Sequence, residues 1–464
     1  MVHDDVTGIL AEYLSRTQFE DLTGEAIRST KIHILHTLGT VIAGSSAAGI
    51  DQVLAAVSQW GTKEESTVLV CGVKLPAPSA ALVNSTMAHS RELDINDDRI
   101  AYKTSVAAIP AALATAERRG HVSGKELITA VCLGVDLGIR IGLATNPKPT
   151  HVLFNALGPF AAAAASARIL GLDEVGMRNA LGIAYCRVTF SGNRSVSPSL
   201  TKRLRAGFAS HSGVIAALLA AEGFPAAGEI FSGPTGYFQT YYKEEGDLDT
   251  LLDGPGRRYE IVSVDPKPFP SCRYTHPAVT GVMSLLRDHP ITVEEIAEVR
   301  VRVGERDMHA VWGREEMERK KRYRPEGIVD AQFSIPYTVA VTLLRGKLTL
   351  DDFTDEAISN EAVLSLAERV KPVLDPLLEQ WPLDVKPQVV EIVTRDGTVY
   401  SQRVEYPKGS PSDPVTLDEL QENFREMARF SARPLRREKI EQALSVVSRL
   451  EEIEDATIVS GLLS

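Results

Sequence analysis

The sequence predicts a mainly α protein, with a large all-helical domain and a smaller α+β domain. Ala-, Leu- and Val-rich segments fill the first half, with apolar residues three and four apart, as in packed helices. Residues 297–303 (AEVRVRV) alternate strictly, which is typical of a half-buried strand. Asp396-Gly397 lies between β-branched residues and indicates a hairpin within 389–399.

Several segments of the first half carry helix signals. Thr23 can cap a helix with apolar residues from Ala26 to Ile42, and Ser123 begins a capping box, S-G-K-E. Pro110 is tolerated in the first turn of a helix. After the helix that Thr23 caps, the predicted helices cover 79–88, 109–119, 127–143, 161–170 and 207–222.

The pattern changes near Asp265. Helices are expected over 334–344 and 361–370, a Pro/Ser linker over 408–414, and a charged amphipathic helix over 417–450. Since 464 residues exceed one ordinary core, we expect two domains. The predicted boundaries give a helical domain of residues 1–265, completed by 406–464, and an α+β domain of residues 266–405.

The chain is acidic, with 50 Lys and Arg against 61 Asp and Glu, a net charge of −11. Bulk electrostatics therefore disfavour nucleic acid as a partner, and an anionic ligand needs a local cluster of cations. The four scattered cysteines favour a reducing compartment, and the N-terminus lacks a secretory signal pattern. The apolar runs are short or interrupted by charge, so we expect no membrane partner and a cytoplasmic protein.

Four polar clusters adjoin apolar helices or the domain boundary. They are 89–103 (HSRELDINDDRIAYK), 201–207 (TKRLRAG), 267–276 (KPFPSCRYTH) and 332–337 (QFSIPY). A polar cluster in apolar surroundings is unfavourable unless its members satisfy one another or a ligand. Cations at a helix N-terminus likewise oppose the helix dipole unless an anion lies there.

Each cluster also has a purely structural explanation. Asp94 could cap a turn, His276 could be a satisfied core histidine, Tyr337 could be core, and Lys202 and Arg203 could be a solvated helix end. For any one cluster taken alone, the structural explanation is favoured over a functional one. Taken together, the four clusters favour a binding pocket. Metal-binding, nucleotide-binding and serine-nucleophile motifs are absent from the sequence. The remaining Lys, His, Tyr, Asp and Arg suit proton abstraction beside a carboxylate.

The chain resembles the MmgE/PrpD family, which includes 2-methylcitrate dehydratase, cis-aconitate decarboxylase and iminodisuccinate epimerase. The supporting segments are AHSRELD (88–94), IPAALATAERRG (109–120), GPFAAAAASARILGLD (158–173), KRLRAGFA (202–209), KPFPSCRYTH (267–276) and DAQFSIPY (330–337). The resemblance implies a helical domain plus an α+β lid, a homodimer, and a site between the domains for di- or tricarboxylates. It implies neither a metal nor an organic cofactor.

The resemblance also implies site residues. Asp94, Lys202, His276 and Tyr337 match catalytic positions of the family. Lys103 stands where a histidine is usual, and a second usual histidine falls on Val152, beside His151. We therefore expect five catalytic residues and six substrate-binding residues. The catalytic set is Lys103, His276, Tyr337, Asp94 and Lys202; the binding set is His89, Arg91, His151, Arg203, Lys267 and Arg273.

The functional hypothesis is a cofactor-independent isomerase, epimerase or lyase acting on an acid with an acidic C–H. Lys103 or His276 abstracts the proton, Lys202 and Arg273 hold the carboxylate, and Tyr337 or Asp94 assists. Elimination needs a general acid as well as a base, so the lost histidines weaken a dehydratase mechanism. The alternatives are 2-methylcitrate dehydratase or aconitate decarboxylase proper, a cyclase or dehydratase on a non-carboxylate metabolite, and a non-catalytic binding protein.

Overall fold

The computed structural model describes residues 5–145, 154–189, 198–243 and 246–464. Helices dominate the large domain, and Thr23 and Ser123 cap their helices as predicted. A two-stranded antiparallel ribbon, β1 (Ser66–Thr67) and β2 (Lys74–Leu75), is added to these helices. The helices are α1 (Val6–Arg16), α2 (Gly24–Gly44), α3 (Ile50–Val57), α4 (Ala77–Ala88), α5 (Ala108–Arg119), α6 (Gly124–Ala144), α7 (Phe154–Ile169), α8 (Glu174–Tyr185), α9 (Thr201–Ala221), α10 (Tyr237–Tyr242) and α11 (Leu248–Leu251).

The smaller unit packs helices on a mixed sheet. Its strands are β3 (Ile296–Val303), β4 (Val370–Leu374), β5 (Gln388–Thr394) and β6 (Val399–Val404), in the order β4-β3-β5-β6. β3 pairs in parallel with β4 and antiparallel with β5, and β5 and β6 form the predicted hairpin around Gly397. The helices are α12 (His276–Asp288), α13 (Glu305–Asp307), α14 (Glu316–Tyr323), α15 (Ile328–Gln332), α16 (Ile335–Arg345), α17 (Asp355–Ile358) and α18 (Glu361–Ala367).

The C-terminal segment adds α19 (Leu417–Ala428), α20 (Arg437–Ser448) and α21 (Ile458–Leu462). Its buried residues join the core of α1–α11, whereas residues from Phe269 to Ile392 form a second core. The mainly α class with a smaller α+β unit is thus confirmed. The boundaries at 265/266 and 405/406 stay predictions.

Four helix predictions were wrong in their extent. The helix predicted over 161–170 begins earlier, at Phe154. The helix predicted over 361–370 ends at Ala367, and Val370 begins β4. Pro372 cannot continue a helix and is tolerated here because β4 is an edge strand. The helix predicted over 417–450 is two helices, with Pro434 between them. The helix predicted from Gly207 begins at Thr201, where Lys202 finds a carboxylate partner in Glu92.

Two helices, α6 and α9, are long and apolar enough to cross a membrane by length and composition. Both helices contain charged residues, as the expectation of interrupted apolar runs describes: Asp136 and Arg140 lie within α6, and α9 begins with three cations. The apolar windows of α6 and α9 are 94% and 61% buried within the structure, as core helices are. In α6 the charged Asp136 and Arg140 lie 2.6 Å apart and neutralise each other.

Close backbone approach fixes the helices that carry the polar clusters. A side chain at Gly44, the last residue of α2, would overlap the carbonyl of Met87 in α4. A side chain at Gly207 in α9 would overlap the Thr86 hydroxyl. The end of α4 is therefore held between α2 and α9, and this brings the 89–103 segment against the first turn of α9.

Candidate active site

The 89–103 segment leaves α4 as irregular backbone buried in the protein. His89 is the C-cap of α4, and Glu92 and Ala101 adopt left-handed conformations with φ of 55° and 52°. Because such conformations are strained for non-glycine residues, surrounding contacts must maintain them. The bends direct His89, Asp94 and Lys103 towards one another.

Asp94 is the centre of the cluster, and its side chain is fully buried. Its Oδ2 lies 3.1 Å from His89 Nδ1 and 3.9 Å from Lys103 Nζ, while Oδ1 lies 4.0 Å from Lys267 Nζ. Burial alone raises the pKa of Asp94, but His89, Lys103 and Lys267 outweigh it and hold the pKa well below its ordinary value. Asp94 is therefore a carboxylate that orders the cations around it.

Lys202, in the first turn of α9, extends the cluster. Its ammonium donates to the Glu92 carboxylate and to His89 Nε2, the latter at 3.1 Å, and lies 5.3 Å from the centre of the Phe333 ring. Because His89 Nε2 accepts this bond, its ring proton is placed on Nδ1, facing Asp94. Burial and the Lys202 charge lower the pKa of His89, so the ring is neutral.

Lys267 reaches the cluster from the segment that follows the large domain. It is 1% exposed, and its ammonium donates to the Glu92 carbonyl and, at 3.1 Å, to the Ser271 carbonyl. Burial and the Lys103 charge lower the pKa of Lys267 to about 7, against the opposing effect of Asp94 and Glu92. Lys267 can therefore gain or lose a proton near neutral pH.

Arg273 links the parts of the chain that meet at the site. Its Nε and Nη2 donate to Asp98 at 2.9 and 2.7 Å. Nη2 also donates to the Gly409 carbonyl, and Nη1 donates to the Lys408 carbonyl and to His276 Nδ1. These bonds use all five N–H groups of the guanidinium. In this conformation all its N–H groups are used within the protein, and its expected role in binding substrate stays a prediction.

His276 begins α12 and is fully buried. Its Nδ1 accepts from Arg273 at 3.0 Å, and its Nε2 lies 3.3 Å from the Ser271 carbonyl, to which it donates. Burial and the Arg273 charge hold the pKa of His276 well below its ordinary value. Both ring nitrogens are thus engaged, which makes His276 a weak candidate for the base.

The remaining sequence candidates lie elsewhere. Arg91 donates to the Ala43 carbonyl and to Ser46, and Arg203 donates to the Ala48 carbonyl, so both guanidinium groups face the end of α2.

Tyr337 is buried in the smaller core, where its hydroxyl donates to the Asp352 carbonyl at 2.6 Å. The structure does not bring Tyr337 into the cluster around Asp94. His151 lies outside the described residues.

Sequence reasoning missed several residues of the site. Gln332, rather than Tyr337, carries the contact from its segment, because its amide donates to the Arg91 carbonyl at 3.1 Å. Phe333 covers Lys202. Asp98 holds Arg273, and its place in the acidic D-D-R run of the 89–103 segment could have indicated a partner for a buried arginine.

His36 had no sequence signal, since it lies within an apolar helix. It is buried, its Nε2 donates to the Leu93 carbonyl at 2.7 Å, and burial lowers its pKa to about 4. It also lines a cavity of about 430 Å³, together with Lys267, Leu93 and residues of α12 and α19. Asp94 and Lys103 are not among the residues that line this cavity.

The fold and the cluster together define a two-domain, mainly helical protein with a lysine-rich polar site where its two cores meet. The family models agree with this description. The MmgE/PrpD N-terminal domain matches residues 8–247, and the MmgE/PrpD C-terminal domain matches residues 269–447. The chain belongs to the MmgE/PrpD family.

Individual relatives match nearly the whole chain. It is 27% identical to cis-aconitate decarboxylase of Mus musculus, covering all of this chain and 94% of the relative. It is 25% identical to cis-aconitate decarboxylase-like protein oryM of Aspergillus oryzae, and this match covers 99% of this chain and 98% of the relative. It is 27% identical to the mitochondrial 2-methylcitrate dehydratase of Yarrowia lipolytica over 48% of this chain and 44% of that protein. These relatives are lyases by name, which supports an enzyme of the lyase type.

The pKa of Lys267 predicts a pH-dependent contribution to stability. Since its pKa falls from 10.5 to about 7 on folding, the unfolded chain binds more protons between these values, and Lys267 favours folding increasingly as pH rises. We expect the stability of the wild type relative to Lys267→Met to rise from pH 7 to 9, by up to about 1.4 kcal/mol per pH unit. Urea unfolding at pH 7, 8 and 9 measures it.

Lys63→Met is the matched control, since Lys63 is 73% exposed. The difference in the free energy of unfolding between Lys63→Met and the wild type should change little with pH. A Lys267→Met difference that is equally flat would contradict the lowered pKa.

Proposed function

We propose that the protein is a lyase that transfers a proton at the carbon next to a carboxylate of a di- or tricarboxylate substrate, without a metal or an organic cofactor. The single observation that carries this proposal is the group of three lysines at one place: the buried Lys103 and Lys267 lie beside the ionised Asp94, and the part-buried Lys202 pairs with the adjacent Glu92. The names of the relatives, a decarboxylase and a dehydratase of carboxylic acids, support the same substrate class.

The cluster supplies the groups that such a reaction requires. Lysine ammonium groups neutralise substrate carboxylates and stabilise the negative charge that develops when a bond to the adjacent carbon breaks. Lys267, with a pKa of about 7, can exchange a proton near neutral pH. Asp94 stays ionised and fixes the positions of Lys103 and Lys267, so it acts as a positioning residue.

Lys103 is the proposed proton carrier that faces the substrate. It makes no hydrogen bond to the part of the chain that the structure describes, and its ion pair with Asp94 is long, at 3.9 Å. Its ammonium is therefore available, whereas both ring nitrogens of His276 are engaged. Between the two bases that the sequence left open, the contacts favour Lys103.

An isomerase or epimerase is the second candidate. Epimerisation needs two proton-transfer groups on opposite faces of one carbon. Lys103 and Lys267 lie 3.9 and 4.0 Å from different oxygens of Asp94, so the cluster contains two lysines for these two roles. No observation among the described residues specifically favours a cyclase or dehydratase acting on a non-carboxylate metabolite.

Solvent deuterium incorporation tests the proposal. The purified enzyme is incubated in D₂O with cis-aconitate, 2-methylcitrate, citrate and succinate, and NMR follows exchange and product formation. We expect turnover or exchange with at least one of them, and a loss of about 100-fold or more in Lys103→Met because proton transfer typically contributes that factor.

Lys63→Met, on the surface, serves as control and should keep the wild-type rate. Exchange at the wild-type rate in Lys103→Met would exclude Lys103 as the proton carrier. An absence of exchange and turnover with every acid would contradict the proposed function itself.

We further propose that two copies of the chain associate through α9. Phe208 and Leu219 on α9 are 51% and 40% exposed, and Trp60, 56% exposed, lies beside His211 of the same helix. Such a patch marks an interaction surface, and the homodimer implied by the family resemblance provides a self-complementary partner. Cytoplasmic location and the lack of nucleic-acid or membrane partners stay predictions from the sequence.

A charge in this patch should separate the copies. We expect light scattering to give a dimer of the 50.4-kDa chain for the wild type and a monomer for Phe208→Glu, because a carboxylate cannot be buried there without a counter-charge. Val175→Glu, at a 67% exposed site on α8, is the control and should remain dimeric. A monomeric wild type, or a dimeric Phe208→Glu, would contradict the assignment.

A further inference from the structure

Arg205 is a buried cation that the cluster around Asp94 does not use. Its residue is 3% exposed, yet its Nε and Nη2 find no hydrogen-bond partner in the described parts of the chain. Burying a guanidinium without a partner is unfavourable, so such groups are almost always paired. Because burying these N–H groups without partners costs free energy, we infer that the Arg205 guanidinium binds a ligand rather than stabilising the fold.

The position of Arg205 on α9 places it beside the site. It follows Lys202 by three residues, so the two side chains lie on one face of the helix. Lys202 contacts Glu92 and His89 from that face. The Glu92 charge also acts on Arg205, where it opposes the lowering of the pKa by burial.

Arg203, the neighbouring cation, shows the contrast. It lies on a different face and donates to the Ala48 carbonyl. Of the two arginines in the first turns of α9, only Arg205 has buried N–H groups left over among the described contacts. The small residue Ala209, one turn later, packs near Gly158 of α7, so backbone lies close to this face of α9 and restricts solvent there.

The charges of the site favour an additional anion. Lys103, Lys202 and Lys267 face two carboxylates, Glu92 and Asp94, while Arg273 and Asp98 neutralise each other. Arg205 adds one more positive charge to this excess. A site with surplus buried cations attracts a polyanion, and a guanidinium binds a carboxylate in a bidentate manner.

We propose that Arg205 forms a separate carboxylate subsite, which selects substrates with three carboxylates over those with two. This inference rests on the proposed function and adds the substrate class to it. The lysines hold the carboxylates next to the reacting carbon, and Arg205 binds the remote one, so Arg205 determines specificity without taking part in proton transfer.

Binding of two probes tests the subsite. Propane-1,2,3-tricarboxylate and succinate are titrated calorimetrically into the wild type, Arg205→Met and Arg205→Lys. We expect the wild type to prefer the tricarboxylate, and Arg205→Met to weaken its binding about 10- to 100-fold with little effect on succinate, as for loss of a charged hydrogen bond. Arg205→Lys should restore part of the affinity because it keeps the charge.

Thermal unfolding without ligand separates this role from a structural one. Removing an unpaired buried charge should leave the melting temperature of Arg205→Met unchanged or raise it. Arg118→Met is the control, since Arg118 is partly buried but is paired with Glu65. It should lower the melting temperature and leave tricarboxylate binding unchanged.

Two results would overturn the inference. One is equal tricarboxylate affinity in the wild type and Arg205→Met; the other is a large loss of stability in unliganded Arg205→Met, which would show that Arg205 serves the fold. If deuterium exchange persists while tricarboxylate affinity is unchanged, only the subsite fails. If the wild type binds neither probe and exchanges no proton, the subsite and the proposed function fail together.

Discussion

The buried carboxylate of Asp94 is the constraint on which the site depends. An ionised aspartate without solvent is tolerated only when cations and N–H groups surround it. Here the ammonium groups of Lys103 and Lys267 and the neutral ring of His89 do so within 4.0 Å. These residues come from two distant segments of the chain. Because Lys103 and Lys267 both approach the Asp94 carboxylate, the segment that follows α4 lies against the segment that follows the large core.

The same electrostatics determine the acid–base properties of the site. Burial and the nearby ammonium groups lower the pKa of Lys267 to about 7, while Asp94 limits how far it falls. A lysine that titrates near neutral pH can both accept and donate a proton, which an isolated lysine cannot do efficiently. Lys103 stands where the family resemblance leads one to expect a histidine, and it lies 3.9 Å from the same Asp94 carboxylate that Lys267 approaches.

Arg273 connects the two cores through its hydrogen bonds. Its five N–H groups reach Asp98 in the 89–103 segment, His276 at the start of α12, and the carbonyls of Lys408 and Gly409. A guanidinium suits this role because its donors are fixed in one plane. Arg273, which the sequence suggested as a ligand for the substrate carboxylate, thus fixes the positions of Asp98 and His276.

Much of this arrangement could be predicted from sequence, because polar residues in apolar surroundings are conspicuous. This pattern indicated the segments that contain Asp94, Lys103, Lys202 and Lys267, and the family resemblance then indicated the individual residues. Capping residues such as Ser123 predicted helix starts.

Tertiary contacts decided the rest. Whether Tyr337 or Phe333 faces the cluster depends on how α16 packs, and Tyr337 is turned into the smaller core. The edge strand β4 depends on pairing with β3, which no local pattern reveals. Arg205 stood in a predicted cluster, but only its lack of partners distinguishes it from Arg203.

The central claim is that the Asp94 carboxylate raises the pKa of Lys267 against the lowering effect of burial. The most direct measurement is NMR titration of the lysine side-chain resonances in the wild type and Asp94→Asn, with Lys267 assigned by its absence in Lys267→Met. The account predicts a Lys267 pKa of about 7 in the wild type and a lower one in Asp94→Asn, because the attractive charge is gone. A Lys267 pKa near 10.5 in the wild type, or one unchanged by Asp94→Asn, would contradict it.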